Sequence, residues 1–349
     1  MKAVKVEASL TYEVLIEKGL LSSAGRLIKN IHKGEKTVIV SDSNVFPFYG
    51  EKLKASLENE GYNVLSFVFP AGESSKNTDT LVELWEFLAK NHITRSDALV
   101  ALGGGVTGDL TGFAAATFLR GIKYIGIPTT LLSMVDSSVG GKTAVDLKGG
   151  KNLAGAFYQP SLVICDPDTL DTLSECIFAD GMAEVIKYGM ISLPDFLGVL
   201  ETEADICDII ETCVKAKRDI VNEDEKDLGV RQLLNFGHTP AHGIELLSEF
   251  TVSHGSAVAI GMMIITKASV KAGLCDKDAL TILEKLLKKY SLPTGTVFSP
   301  EEISKAALND KKRAGGSITL VIPEKAGKCV LKKTDVSLLN DFISGAWDK

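Results

Sequence analysis

Residues 97–116, DALVALGGGVTGDLTGFAAA, contain the pattern that decides the fold of this chain. The apolar run at 97–102 predicts a buried strand, and the glycines after it lead into a helix. Gly103, Gly105 and Gly108 satisfy the spacing G-x-G-x-x-G, in which backbone without Cβ atoms can approach a diphosphate at a helix N-terminus. The acidic residue usual about 20 positions later in dinucleotide sites is absent. A tight turn without a ligand therefore stays open as an alternative.

The same alternation of strand and helix extends toward the N-terminus. Residues 37–40 (TVIV) and 63–69 (NVLSFVF) read as buried strands, and residues 50–60 and 77–91 read as helices. Strands separated by helices of this length indicate βαβ units and a parallel sheet. Asp42 follows the first of these strands, where its carboxylate is a candidate partner for a ribose.

The pattern changes near residue 170, where helical periods begin to dominate. We expect an α/β fold, with an N-terminal Rossmann-like parallel-sheet domain at 1–170 and a mostly α-helical domain at 171–349. The clearest later strand is at 317–322. The predicted helices of the second half lie at 180–191, 203–221, 231–248, 254–272 and 276–290.

Composition narrows the class of protein. The chain has 349 residues and a formal net charge of −7, which argues against a general nucleic-acid binder. Its 6 Cys form no C-x-x-C pair, as expected of reduced thiols in the cytoplasm. No uninterrupted apolar run reaches the roughly 20 residues of a membrane helix, and we expect no membrane association.

Three further segments have residue types that suit an anionic ligand. Residues 70–76 place Glu73 and Lys76 after a predicted strand, and Thr129 and Thr130 follow another. Each has a simpler interpretation as a capped helix start. Residues 136–152 are rich in Gly, Ser and Lys and suit a loop that closes on phosphate or carboxylate, although a surface hairpin is the alternative. This stretch lacks the first glycine of a Walker A loop, which disfavours ATP binding.

Three of the 5 His residues lie between 238 and 254. His238 and His242 are four apart, His254 opens the next predicted helix, and Glu184 and Lys187 share one face of an earlier helix. Two imidazoles and one carboxylate would form a three-ligand zinc site with an open position. Spacing does not say which His binds metal, and histidines without metal remain the alternative. Arg231 and Asn235 precede His238, as expected of a cationic rim for an anionic substrate.

Seven blocks of sequence, in order, resemble the 3-dehydroquinate synthase family of sugar phosphate cyclases. The resemblance extends from about residue 38 to 323. It implies an NAD-binding N-terminal domain, a helical C-terminal domain that binds metal and substrate, a divalent metal (zinc or cobalt), and a homodimer. The blocks are GGGVTGDLTGFAAATFLRG, IPTTLLSMVDSSVGGKTAVD, GKNLAGAFYQP, GMAEVIKYG, LLNFGHTPAHGIE, HGSAVAIGM and NDKK.

The resemblance also implies roles for individual residues. Glu184, His238 and His254 would bind the metal, and His242 would bind substrate and transfer protons. Asp136 would lie near the reacting hydroxyl, and Arg120 would reach the neighbouring subunit's site. The residues implied to bind substrate or act in catalysis are Lys142, Lys151, Asn152, Lys187, Lys217, Arg231, Asn235, His242 and Lys312. Those implied to contact NAD are Asp42, Glu73, Lys76, Gly104, Gly105, Val106, Asp109, Thr129, Thr130, Lys142, Lys151, Thr172 and Leu173.

The implied reaction is a step of the shikimate pathway to aromatic amino acids. A phosphate-eliminating lyase would convert 3-deoxy-arabino-heptulosonate 7-phosphate to 3-dehydroquinate and phosphate, with NAD reduced and reoxidised in each turnover. The alternatives are another sugar phosphate cyclase and a metal- and NAD-dependent polyol dehydrogenase. One departure from the family pattern is Pro240-Ala241, where a bulky apolar residue and a Gly are usual. Because Pro is tolerated only in a first helical turn, we expect a helix to begin near His238.

Overall fold

The computed structural model describes residues 1–309 and 316–347. The strands are β1 Lys2–Glu7, β2 Thr11–Ile16, β3 Lys36–Asp42, β4 Asn63–Phe69, β5 Ala98–Gly103, β6 Lys123–Pro128, β7 Lys142–Leu147, β8 Gly150–Phe157, β9 Leu162–Cys165, β10 Ser317–Lys325 and β11 Lys328–Asp335. The helices are α1 Ala24–Ile31, α2 Phe46–Glu58, α3 Thr78–Lys90, α4 Gly105–Thr117, α5 Glu175–Ser192, α6 Pro194–Leu200, α7 Ile206–Glu223, α8 His238–Leu247, α9 His254–Lys271, α10 Lys277–Lys289, α11 Pro300–Asn309 and α12 Leu339–Ser344.

The contacts divide the chain into two compact units. The first comprises Met1–Leu173 with Ile206–Glu225, and the second comprises Ser174–Asp205 with Lys226–Lys349. Helix α7 thus belongs to the first unit, although it follows α5 and α6 in the chain. The domain bounds 1–170 and 171–349 remain a prediction. No helix in the described parts of the chain is long and apolar enough to cross a membrane.

The first unit is built on a seven-stranded sheet in the order β1-β2-β9-β6-β5-β3-β4. Only the β1–β2 pair is antiparallel, so the predicted parallel sheet is confirmed. Along β3, Ile39 faces the core formed with α1 and α2, and Val38 and Val40 face the core formed with α3 and α4. Such burial on both faces explains why these strands read as continuous apolar runs.

The sheet reverses its strand order between β3 and β5. The chain passes from β3 outward to β4 and returns to form β5 on the other side of β3. At such a switch point the loops after the two strands diverge and leave a crevice at their carboxyl ends, where open α/β sheets bind ligands. Asp42 ends β3 and Gly103 ends β5, so the residues singled out in the sequence lie at this edge.

Residues 136–152 do not form the open loop that we expected. A π-helical turn, Ser133–Ser137, precedes the antiparallel hairpin of β7 and β8. Burial alternates along β7, with Thr143 and Val145 buried and their neighbours more exposed, which is the pattern of a strand with one face on the core. Lys148 and Gly149 lie at the turn, so the surface hairpin is the correct interpretation.

In its described residues the second unit is mostly helical, and β10 and β11 form a hairpin. The helix predicted at 231–248 is wrong as one element. A 3-10 helix, Val230–Asn235, ends before α8, because Gly237 between them has φ +80. A Cβ on Gly237 would also lie 2.8 Å from the backbone nitrogen of Met262 in α9. The chain therefore needs glycine both for the turn and for the close approach of α9.

Helices α5 and α9 interlock where α9 begins. The Oδ1 of Asp180 in α5 accepts hydrogen bonds from the Ser253 hydroxyl at 2.6 Å and from the Ser256 backbone N–H at 3.0 Å. A Cβ on Gly255 would lie 2.3 Å from the Cα of Asp180. The start of α9 is thereby capped by a side chain of α5 and pressed against its backbone.

We predict that Gly255→Ala destabilises the second unit. Because the new Cβ would meet backbone, the helices must separate, at a cost typical of overpacking, about 1–3 kcal/mol. The matched control is Gly198→Ala in α6, where a Cβ meets nothing within 4 Å. The control should be neutral or stabilising by up to about 1 kcal/mol. Urea unfolding of the two variants measures the difference, and equal midpoints would contradict the interlock.

Candidate functional site

Three donor side chains converge in the second unit. Glu184 from α5, His238 from α8 and His254 from α9 each offer one ligand atom, and these atoms all lie within 4.8 Å of one another. The Oε1 of Glu184 is 3.7 Å from Nε2 of His238 and 3.3 Å from Nε2 of His254. Two imidazole nitrogens and a carboxylate oxygen are the donor set of catalytic zinc sites, and they also suit cobalt.

Each donor is positioned by a local feature of the sequence. Glu184 is 1% exposed in the buried stretch of α5, and its other oxygen, Oε2, pairs with Lys187 one turn later. His238 is the first residue of α8, and its Nδ1 lies 3.1 Å from the Phe236 carbonyl. A helix start at His238 is confirmed, and it places Pro240 in the first turn, where proline is tolerated.

The two metal-facing imidazoles differ in protonation. Desolvation and the charge of Lys187 lower the pKa of His238 to about 3, so its ring is neutral. Desolvation also acts to lower the pKa of His254, but hydrogen bonds and charges from Glu184 and Glu245 outweigh it and raise that pKa to about 10. Without metal, the cluster therefore holds an imidazolium between two carboxylates. Carboxylates that hold this proton so strongly also suit a divalent cation in its place.

His242 lies beside the cluster but is not among the three converging donors. Its ring centroid is 5.8 Å from that of His238, with the rings nearly perpendicular. The prediction that both rings lie on one side of α8 is therefore confirmed. Arg231 is buried and Asn235 exposed in the 3-10 helix Val230–Asn235, which packs on α5, the helix that also holds Lys187. The seven predicted residues of the second unit that the structure describes therefore lie on adjoining elements.

The glycine loop of the first unit lies at the switch point of the sheet. Gly104 precedes α4 and offers no side-chain cap, so the first N–H groups of that helix face the crevice. The Thr107 hydroxyl donates to Asp42 at 3.3 Å, and the Thr129 backbone N–H donates to the Gly103 carbonyl at 3.0 Å. The loop, Asp42 and Thr129 are therefore close together, as a nucleotide site at this edge requires.

A small cavity of about 20 Å³ adjoins this loop. Its lining includes Gly104, Asp109, Ser137 and Lys142, so the hairpin residue Lys142 faces the same space as the glycine loop. A larger cavity, about 410 Å³, is lined by residues such as Lys33, Arg95 and Lys123 that precede the strands. That cavity opens at the amino edge of the sheet, whereas nucleotide sites form at the carboxyl edge, so the smaller one belongs to the candidate site.

Lys76 joins several predicted residues of the first unit. Its ammonium donates to Asp109 Oδ2 at 2.5 Å and to Asn152 Oδ1 at 2.6 Å. Lys151, next to Asn152, lies 3.6 Å from Glu73. These contacts connect the hairpin to the loop after β4 and to α4. Residues that the resemblance assigns to NAD, such as Lys76, are thus in direct contact with Asn152, which it assigns to the substrate.

Other predicted residues of the first unit occupy separate positions. Lys217 of α7 pairs with the Asp136 carboxylate and donates to its carbonyl at 2.7 Å. Thr172 follows β9 and lies 2.7 Å from the Tyr49 hydroxyl. Arg120, exposed just before β6, lies at the amino edge of the sheet, away from the glycine loop. Gly105 and Val106 are the first residues of α4, and Thr130 follows β6 at the same carboxyl edge. Leu173 ends the first segment of the first unit, and Lys312 lies outside the described residues.

Sequence reasoning missed two residues that support the metal-binding cluster. Asp180 caps the start of α9, and Glu245 lies 3.4 Å from Nδ1 of His254. Asp180 is one turn before Glu184, and Glu245 is three residues after His242. This helical spacing could have suggested that both face the same region. Their contacts with α9 depend on tertiary packing, which spacing does not reveal.

Two solved structures resemble this chain closely in fold. The 2-epi-5-epi-valiolone synthase of Streptomyces hygroscopicus, solved with NAD+ and Zn2+, is 25% identical with a TM-score of 0.89, covering 99% of this chain and 98% of its own. A 2-deoxy-scyllo-inosose synthase, solved with carbaglucose-6-phosphate, NAD+ and Co2+, is 25% identical with a TM-score of 0.86, covering 98% of this chain and 99% of its own. The α/β class with a Rossmann-like sheet is therefore confirmed.

Sequence comparison identifies nearer relatives. The 3-dehydroquinate synthase of Clostridium acetobutylicum is 45% identical over 345 residues, 96% of this chain and 97% of the relative. That of Clostridium botulinum is 46% identical over 335 residues, 93% of this chain and 96% of the relative. Family models for the N-terminal and C-terminal parts of 3-dehydroquinate synthase match residues 66–180 and 181–313. The chain therefore belongs to the 3-dehydroquinate synthase family.

Proposed function

We propose that this protein is a cytoplasmic lyase that converts 3-deoxy-arabino-heptulosonate 7-phosphate to 3-dehydroquinate and phosphate, a step of the shikimate pathway. The observation that carries the proposal is the convergence of Glu184, His238 and His254 within 4.8 Å in a chain of this family. That donor set fits a catalytic divalent metal. The glycine loop and Asp42 at the switch point fit NAD.

NAD and the metal would supply the hydride transfer and the polarisation of oxygen, and residues of the chain would hold them. When bound, NAD accepts a hydride from the substrate's C5 hydroxyl carbon and returns it, and zinc or cobalt polarises the oxygens there. We assign Glu184, His238 and His254 to the metal. We assign the crevice to NAD through Asp42, Glu73, Lys76, Gly104, Gly105, Val106, Asp109, Thr129, Thr130, Lys142, Lys151, Thr172 and Leu173.

The chain's cationic side chains bind the anionic substrate in this proposal. Lys187 and Arg231 are each 1% exposed, and Lys187 is held in place by its ion pair with Glu184. The substrate supplies a carboxylate and a phosphate dianion, which charge-assisted hydrogen bonds orient. Further ligands for these groups and for the hydroxyls are Lys142, Lys151, Asn152, Lys217, Asn235 and Lys312.

In this proposal His242 transfers protons, and Asp136 and Lys217 bind the reacting hydroxyl. His242 presents an exposed ring next to His238, within reach of a bound hydroxyl but outside the set of converging donors. Asp136 and Lys217 form an ion pair, and this pair can bind a substrate hydroxyl from both a donor and an acceptor side. Removal of the C5 hydride would create a ketone that acidifies the adjacent C–H, so that phosphate could leave by elimination. After the hydride is restored to C5, the sugar ring would open and an intramolecular aldol step would close the carbocycle.

We predict phosphate release without net formation of NADH. Each hydride that leaves C5 returns in the same turnover, so 3-dehydroquinate differs from the substrate only by loss of phosphate and rearrangement, with no net oxidation. The assay supplies the heptulosonate phosphate, NAD and zinc or cobalt, and follows phosphate and absorbance at the NADH band together. Accumulation of one NADH per substrate would instead indicate a polyol dehydrogenase, and absence of phosphate would exclude the synthase reaction.

We predict that His254→Ala loses the metal and that His242→Ala keeps it. Of these two histidines, only His254 belongs to the group whose ligand atoms all lie within 4.8 Å of one another. Both variants should lose activity, but elemental analysis after dialysis should find about one metal per chain in His242→Ala and little in His254→Ala. Equal metal loss in both would show that the roles of the two imidazoles are wrongly divided.

We also propose a homodimer in which Arg120 completes the partner's site. Its place at the amino edge of the sheet, away from the glycine loop of its own chain, supports this assignment. We predict that mixing inactive Arg120→Ala and His254→Ala chains restores about a quarter of wild-type activity, because half of the randomly paired dimers have one intact site. If Arg120 served its own chain, neither type of site would be intact and mixing would restore nothing.

A further inference from the structure

Glu245 is a buried carboxylate that faces the back of one proposed metal ligand. It lies in α8 and is 4% exposed. Its Oε1 lies 3.4 Å from Nδ1 of His254, while Nε2 of the same ring lies 3.3 Å from Oε1 of Glu184. The ring of His254 therefore bridges two carboxylates, one on the metal-facing side and one on the opposite side.

We propose that Glu245 is a positioning residue that orients His254 for metal binding, an inference that rests on the metal site of the proposed function. Only a ring nitrogen without a proton can bind a metal, so the ring's remaining proton must lie on Nδ1 when Nε2 is the ligand. A carboxylate 3.4 Å from Nδ1 accepts that proton's hydrogen bond and excludes the other tautomer. The negative charge also increases the electron density that Nε2 offers to a cation.

His254 needs such a partner more than His238 does. The Nδ1 of His238 lies 3.1 Å from the Phe236 carbonyl, which the backbone before α8 holds in place. His254 is the first residue of α9, and its side chain is 36% exposed, compared with 13% for His238. A partly exposed ring at a helix start is free to rotate about χ1 and χ2 unless a second group holds it. Glu245, reaching across from α8, is that group.

The backbone contacts of Glu245 are separate from this role. Its carbonyl accepts hydrogen bonds from the Phe250 backbone N–H at 2.8 Å and from the Ser248 hydroxyl at 3.1 Å. These bonds close the end of α8 and involve no side-chain atom of residue 245. A substitution of the side chain therefore leaves them in place, which makes the carboxylate open to test by mutation.

The test measures metal affinity in a graded series. Zinc is titrated into metal-free wild type, Glu245→Gln and Glu245→Ala in the presence of a competing chelator, and the melting temperature of each metal-free protein is recorded. Gln keeps an acceptor for Nδ1–H but lacks the charge, whereas Ala lacks both. We expect the dissociation constant to rise about 10-fold in Glu245→Gln and up to about 100-fold in Glu245→Ala. The control, Glu249→Gln, alters an exposed carboxylate nearby and should bind zinc as the wild type does.

The possible outcomes separate the inference from the function on which it rests. Unchanged zinc affinity in both Glu245 variants would overturn the positioning role, including when Ala lowers the melting temperature, because that result describes a purely structural residue. If wild type itself binds no zinc in this titration, the proposed metal centre fails and the role of Glu245 fails with it. Cobalt absorption spectra add a second readout, since a misoriented His254 should alter the bands of the bound ion in Glu245→Ala but not in Glu249→Gln.

Discussion

The close approach of α5, α8 and α9 is the constraint on which the second unit depends. The turn at Gly237, before α8, is in contact with α9, since a Cβ on Gly261 would lie 2.0 Å from the Gly237 carbonyl oxygen. Gly255 allows α9 to approach α5 equally closely, and Asp180 accepts hydrogen bonds that cap the start of α9. Each of these helices contributes one member of the cluster, so the packing that leaves no room for a Cβ also brings a carboxylate and two imidazoles together. The charge pattern then favours a cation, because Glu184 and Glu245 lie on opposite sides of His254.

The first unit depends on a corresponding constraint of topology. Reversal of the strand order at β3 and β5 creates a crevice, and the residues at the carboxyl ends of those two strands line it. Gly103 and Gly104 line the small cavity at this edge without placing a side chain in it, and the hairpin of β7 and β8 adds Lys142 to the same cavity. Helix α7 packs on this unit and carries Lys217 to Asp136, which explains why a helix surrounded in sequence by the second unit belongs to the first.

The features that sequence predicts well are those set by local pattern. Strands β3, β4 and β5 are predicted within one or two residues of their bounds, because burial on both faces demands an uninterrupted apolar run.

The start of α8 follows from Pro240 alone. The break at Gly237 does not, because a glycine in a helical period is compatible with a continuous helix until the approach of α9 is known. The Gly, Ser and Lys content of residues 136–152 favours a loop, with a surface hairpin as the alternative, and the alternating burial of β7 identifies the hairpin. The cluster of Glu184, His238 and His254 came from family resemblance, since spacing left three imidazoles in competition. Asp180 and Glu245 were missed because their partners lie on another helix.

We propose that the packing of three helices builds a divalent cation site from two imidazoles and one carboxylate. X-ray absorption of the zinc-loaded protein tests it most directly, since the fine structure counts and identifies the ligands. We expect nitrogen and oxygen ligands at about 2.0–2.2 Å, with multiple scattering from two imidazole rings. Sulfur ligands at about 2.3 Å, or scattering from fewer or more than two imidazoles, would contradict it.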